Sequence, residues 1–178
     1  KSSGYFLFIG SLYKAKKINI LIDAYVLLSK SETDLPKLKI VGSGSEYIML
    51  KDKIILLGLE NKIILLGEII DIKKISQIYS KSLVTISPNQ AGLSVLNSFS
   101  NGCGFISSES AITGGERFNI IDGVTGNFFD GSYEDLSKKM LLYTNLEYVN
   151  KIGLNAYNFY NNFRNPSIWK EGFLKNIL

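Results

Sequence analysis

The sequence predicts an α/β protein built on a Rossmann-like, doubly wound parallel sheet of about six strands. Two observations carry this. Short apolar, β-branched runs recur along the chain, and each is followed by turn residues and then by a stretch with apolar positions three and four residues apart. Alternating strand and helix call for a parallel sheet, because parallel neighbours can be joined only through a crossover.

Taken in order, Tyr5 to Ile9 is a continuous apolar run ending at Gly10, as expected of a strand buried on both faces. Ser11 to Lys17 is then a loop containing Lys14, Lys16 and Lys17, and Ile18, Leu21, Ile22, Tyr25 and Leu28 mark the apolar face of a helix. Leu38 to Val41 reads as the second strand, and Gly42-Ser-Gly-Ser-Glu46 as a tight turn into a helix that stops near Gly58. A lone Gly-x-Gly after a second strand is mainly turn geometry, since the dinucleotide fingerprint belongs after the first. Ile63 to Leu66 is the third strand, and Ile72 to Tyr79 a short helix.

The stretch from Leu83 to Ile106 organises the rest. Leu83 to Ile86 is a strand, Ser87-Pro-Asn-Gln90 is turn chemistry, and Gly92 opens a stretch with Leu93, Leu96 and Phe99 at helical spacing before Gly102 stops it and Gly104 to Ile106 forms the fifth strand. Ser107 to Arg117 is an irregular loop around Gly114-Gly115, and Gly126 to Phe129 is a sixth strand. Helices are expected over Tyr133 to Leu142 and Leu146 to Asn162, with a last one from Pro166 through Trp169 and Phe173.

With 178 residues and 46% apolar content the chain suits a single well-buried domain over residues 1–178. One cysteine, Cys103, excludes an internal disulfide, and the absence of histidine removes the commonest general base and metal ligand. No apolar run approaches a membrane span, so a cytoplasmic location is expected. The excess of 20 Lys+Arg over 16 Asp+Glu serves solubility first; it would also suit a phosphorylated ligand or peripheral association of a longer protein with an anionic membrane. Nothing in the pattern calls for a nucleic-acid partner.

The strand order expected of this pattern is 3-2-1-4-5-6, with its switch point between the first and fourth strands. The loops meeting there are Gly10 to Lys17, with its lysines, and Ser87 to Gly92, which opens onto a helix N-terminus. A phosphate-bearing ligand is expected between them.

In register, Gly10-Ser-Leu-Tyr-Lys-Ala-Lys16-Lys17 resembles a Gly-Arg-Leu-x-x-Glu-Lys-Gly loop, Val41-Gly-Ser-Gly-Ser-Glu46 a Val-Gly-Asp-Gly-Pro-Glu turn, and Asp122-Gly-Val-Thr-Gly126 an Asp-Gly-x-Thr-Gly turn. Leu57 to Gly67 resembles the lead-in and third strand of the same series. The series is similar to the C-terminal, donor-binding half of GT-B glycosyltransferases of family 4 (glycosyl transferases group 1), over nearly the whole chain. The resemblance implies a retaining, metal-independent enzyme of glycan or polysaccharide biosynthesis, with a UDP- or GDP-sugar as donor substrate and no other cofactor. It places Lys16 and the backbone at Gly10, Ser11, Gly92, Leu93 and Ser94 near the diphosphate, and Leu66, Gly67 and the region after them near the base. It also implies an acceptor site on an N-terminal domain outside this chain, toward which a C-terminal helix at about 166–177 would reach.

The departures are specific. Ser11 stands where the family has Arg, and Asn89 and Asn97 stand where it has two glutamates, the first contacting the donor sugar and the second the ribose. The resemblance therefore makes Asn89 and Lys16 the candidate catalytic residues and Asn97 a ribose contact. A neutral hydrogen bond is worth roughly 0.5–1.5 kcal/mol against about 1.5–3 for a charged one. The alternative is a nucleotide-binding or interaction module without turnover; a dehydrogenase is disfavoured by the first loop, which lacks Gly-x-Gly-x-x-Gly.

Overall fold

A computed structural model describes residues 4–167. In it a six-stranded, all-parallel sheet runs in the order β3-β2-β1-β4-β5-β6, as expected. The strands are β1 (Tyr5–Ile9), β2 (Leu38–Val41), β3 (Ile63–Gly67), β4 (Ser82–Ser87), β5 (Gly104–Ser108) and β6 (Gly126–Phe129). Between and after them lie α1 (Ile18–Ser31), α2 (Tyr47–Leu56), α3 (Ile72–Ser80), α4 (Ser94–Ser100), α5 (Tyr133–Leu142) and α6 (Leu146–Phe163). The expected last helix, with Ile168, Trp169 and Phe173, lies outside the described residues.

Period-two alternation assigns each strand residue to a face. Phe6, Phe8, Leu38, Ile40, Val84, Ile86 and Ile106 join Ile18, Leu21, Ile22, Tyr25 and Leu28 of α1, Leu50 of α2, and Leu136 and Met140 of α5 in one core. Tyr5, Leu7 and Val41 turn the other way, onto Tyr79, Ile75 and Ile78 of α3, and Phe105 meets Val95 and Phe99 of α4 and Ala156 of α6. Burying one such large side chain contributes about 1.5–3 kcal/mol, so helices on both faces are held by the strands they flank.

The helical face expected from Leu93, Leu96 and Phe99 is corrected. Leu93 precedes α4 and is 70% exposed, and the buried positions of this helix are Val95, Ser98 and Phe99. Helical spacing alone allowed either stripe. The small Ala91 and the Ser98 hydroxyl decide it, because Ser98 Oγ lies within hydrogen-bond distance of the Cys103 and Gly104 carbonyls and of Thr85 Oγ1 in the interior, where its one hydrogen finds an acceptor.

The Gly42-Ser-Gly44 turn is geometric, and its neighbour explains it. A Cβ on Gly42 would sit 1.9 Å from the Gly10 carbonyl oxygen, and one on Gly44 2.3 Å from that of Leu12. Leu12 N donates to Ser43 O and Glu46 N to Leu12 O, so the β2–α2 turn is the bed on which the loop after β1 lies.

Candidate active site

The loops after β1 and β4 converge at the carboxyl end of the sheet, where β1 and β4 are neighbours. The first loop continues from Gly10 into a 3-10 turn, Lys14–Lys16, closed by Lys16 N donating to Tyr13 O. Lys17 follows in the left-handed conformation (φ 51, ψ 41) and begins α1 with no side-chain cap. The second loop is pinned from behind by the segment after β5: Ile112 N donates to Asn89 O, Ala91 N to Ile112 O, and Thr113 Oγ1 to Ala91 O.

Two side-chain bonds tie the loops to each other. Asn89 Nδ2 donates to the Ala15 carbonyl at 2.9 Å, and Tyr13 OH donates to Gln90 Oε1 at 2.6 Å. Asn89 is buried, so it neither caps α4 nor lies open to solvent.

The lysines separate by environment. Lys14 and Lys17 are exposed, whereas Lys16 is half-buried and its ammonium lies 5.6 Å from the centre of the Tyr13 ring. Burial pushes the Lys16 pKa down, and among the described residues no carboxylate forms an ion pair with it. A half-buried cation with no counter-charge is a site where an anion would be stabilised.

On the second loop, α4 begins with no side-chain cap and no acid in its first turn. The amides of Gly92, Leu93 and Ser94 donate to no acceptor among the described residues. By contrast α3, α5 and α6 are capped by Asp71, Ser132 and Asn145. The free amides are thus at the switch point, where they can receive an anion.

Beside the phosphate end lies a cavity of about 220 Å³, lined by Gly10, Ser11, Ser43, Glu68, Ile69 and Ile75 among others. Gly10 and Ser11 fall on its wall, and beyond β3 the wall is formed by Glu68 and Ile69, which directly follow Leu66 and Gly67. Leu66 is 39% exposed, and Gly67 ends the strand by accepting from Gly42 N. Asn97 is exposed and lines a neighbouring cavity of about 490 Å³ between α3 and α4, together with Ile72, Ser76 and Tyr79. Ile75 belongs to the walls of both cavities, so Asn97 and Ser11 face spaces on either side of one side chain. A larger cavity, of about 580 Å³, opens at the amino end of the sheet beside Lys81, Ser82 and Leu83, away from both loops.

The sequence profile described as Glycosyl transferases group 1 matches residues 1–159. The chain belongs to that family. No curated protein sequence matches it. Among solved structures it is similar to the pneumococcal O-GlcNAc transferase GtfA in complex with UDP and GlcNAc, at 21% identity and a TM-score of 0.82, over 98% of this chain and 36% of GtfA. It is also similar to the C-terminal domain of a glycosyl transferase group 1 protein, LpcC, of Francisella tularensis (21% identity, TM-score 0.76, 89% of this chain and 85% of that one). A third is Anabaena HepE in complex with UDP-glucose (20% identity, TM-score 0.76, 98% of this chain and 49% of HepE). The chain therefore spans about a third of GtfA and half of HepE, and the likeness to all three is one of fold.

Within this glycosyl transferase group 1 fold, Lys16, Gly10, Ser11, Gly92, Leu93 and Ser94 come together around one end of the sheet, while Leu66 and Gly67 stop short of the cavity wall. Sequence reasoning missed Tyr13, Gln90 and Thr113, whose roles depend on contacts with segments far along the chain. Their neighbours in sequence carried no periodic signal. Glu68 and Ile69 are the residues directly after Leu66-Gly67, in the region that the resemblance assigned to the base. Among the described residues no group of three or more metal-ligating side chains is assembled, and no helix is long and apolar enough to cross a membrane.

Proposed function

We propose that this chain is the donor-binding domain of a retaining glycosyltransferase that uses a UDP- or GDP-sugar in glycan or polysaccharide biosynthesis in the cytoplasm. The observation that carries the reading is the half-buried, unpaired Lys16 ammonium on a loop that is bonded, through Tyr13–Gln90 and Asn89–Ala15, to the loop that opens the uncapped α4. Its family membership and the UDP or UDP-glucose held by GtfA and HepE support it.

In this reading the diphosphate lies between Lys16 and the amides of Gly92, Leu93 and Ser94, and the base enters the cavity bounded by Ser11, Glu68 and Ile69. Leaving-group charge builds on the diphosphate as the glycosidic bond breaks. A fixed ammonium and a set of oriented amides stabilise that charge where a metal ion would otherwise be needed, so catalysis is metal-independent. Asn97 reaches the ribose from α4. The acceptor is held by an N-terminal domain outside this chain, and neither a further cofactor nor nucleic acid takes part.

Calorimetric titration of the chain with UDP and GDP in the presence of EDTA tests this directly. Binding of one of them is expected, and Lys16→Ala is expected to weaken it on the order of tenfold or more, the weight of a charge-assisted contact. Lys14→Ala and Lys17→Ala should change it little. Equal losses at all three lysines would replace the site by a diffuse basic face, and binding of neither nucleotide would overturn the reading.

One observation favours the alternative of a binding module without turnover. The Asn89 amide, at the position of the family's sugar-contacting glutamate, already donates to Ala15 O. Transfer from a labelled nucleotide sugar by a full-length protein containing this domain decides between the two, and its absence despite nucleotide binding would establish the module.

A further inference from the structure

Tyr13 has no part in the reading above, yet both ends of its side chain are engaged at the switch point. Its ring lies below the Lys16 ammonium and its hydroxyl donates to Gln90 Oε1, 77 residues further along the chain. Lys16 N bonds back to Tyr13 O in the 3-10 turn. Tyr13 is the extended residue that enters this turn and Lys16 is its last, so the turn brings the lysine back to the Tyr13 ring.

We propose that Tyr13 is a positioning residue for the diphosphate site: it holds the Lys16 ammonium over its ring and latches the loop after β1 to the loop that enters α4. This inference rests on the donor-binding reading. A lysine head on a flexible stem is a poorly placed charge, and an aromatic face restricts where it sits while adding a cation–π attraction. The Gln90 bond acts on the other arm. Because Ile112 and Thr113 anchor the second loop from behind, a bond from Tyr13 in front leaves it held on both sides. The Asn89–Ala15 bond runs beside the latch and shares its loops. Both arms of the anion site are thereby set before a ligand arrives, which lowers the ordering cost of binding.

Tyr13 is 38% exposed and belongs to no core cluster, so it can be replaced without opening the interior. The test compares UDP with uridine, and GDP with guanosine, by calorimetry on the parent chain, Tyr13→Ala, Tyr13→Phe, Gln90→Leu and the Tyr13→Phe/Gln90→Leu pair, with melting temperatures for each. Tyr13→Ala is expected to weaken the diphosphate on the order of tenfold while leaving the nucleoside unchanged, because only the diphosphate meets Lys16. Tyr13→Phe and Gln90→Leu should each cost about threefold, and the pair no more than either alone, the sign of one shared bond. A Tyr13→Ala variant that matches the parent, or that loses nucleoside and diphosphate equally, overturns the proposal. If Lys16→Ala loses the diphosphate while Tyr13→Ala does not, the donor-binding reading stands and this inference alone falls; a parent chain that binds neither diphosphate removes both.

Discussion

At the scale of single residues, burial rather than residue type separates the three lysines of the first loop. Lys16 is half-buried without a carboxylate, which favours its neutral form and places its folded pKa below the unfolded one. Between those two values the unfolded chain binds more protons, so stability rises with pH across that window, and the charged Lys16 opposes folding below it. A diphosphate reverses this by restoring a counter-charge and raising the pKa. Binding measured in buffers just below the ordinary lysine range should therefore take up a proton, seen as a binding enthalpy that follows the ionisation heat of the buffer. Lys16→Met should abolish that dependence. A parent chain with no buffer dependence would show that the ammonium does not face the anion. Lys17, beside it, adopts the left-handed conformation at the position where the resembling motif has glycine, the residue that takes it most easily.

At the scale of elements, the site is shaped by one turn supporting another. The loop after β1 rests on the β2–α2 turn through Leu12 N–Ser43 O and Glu46 N–Leu12 O. Gly44 is required by that contact, whereas Gly58, at φ +65, would meet nothing within 4 Å if it carried a Cβ. Both substitutions to alanine place an L-residue at positive φ, but only one drives a methyl into backbone. Gly58→Ala is expected to cost about 1 kcal/mol, the ordinary left-handed penalty. Gly44→Ala is expected to cost on the order of 3 kcal/mol and to weaken nucleotide binding as well, because Leu12 must shift and Tyr13 with it. Chemical denaturation of both variants, read beside UDP and GDP titrations, checks this; equal costs would mean that the loop yields without strain.

At the scale of the whole molecule, the sheet places every uncapped helix entry of the site at its carboxyl edge, and nothing among the described residues closes the cavity from outside. A sugar bound there needs a second surface to bring an acceptor to its anomeric carbon and to exclude water. The chain by itself is therefore expected to bind the nucleotide but to transfer no sugar to simple acceptors. Radiolabelled UDP-sugars and GDP-sugars incubated with the chain and with a two-domain protein containing it make the comparison, and turnover by the chain alone would refute the two-domain scheme.

Strand order, the two-faced core and the meeting of the two loops were all legible in the sequence, because buried parallel strands and amphipathic crossovers leave a periodic trace in residue type. Lys16 was singled out in the sequence by its motif position in the loop at the switch point, and the structure adds that it is half-buried while Lys14 and Lys17 are exposed. Three things were decided only by tertiary structure. Leu93, Leu96 and Phe99 were read at helical spacing, whereas the helix buries Val95, Ser98 and Phe99, because only the space beneath α4 selects its inner face. Asn89 was expected to face a sugar or to belong to a turn, whereas its amide bonds to Ala15 across the cleft. Tyr13 carried no signal at all, because its partner Gln90 is 77 residues away and a hydrogen bond between distant loops imposes no local pattern on either. Periodicity records what a residue is buried against on average, while the contacts that aim a functional group are single, long-range and polar, and exist only once the sheet has set its loops side by side.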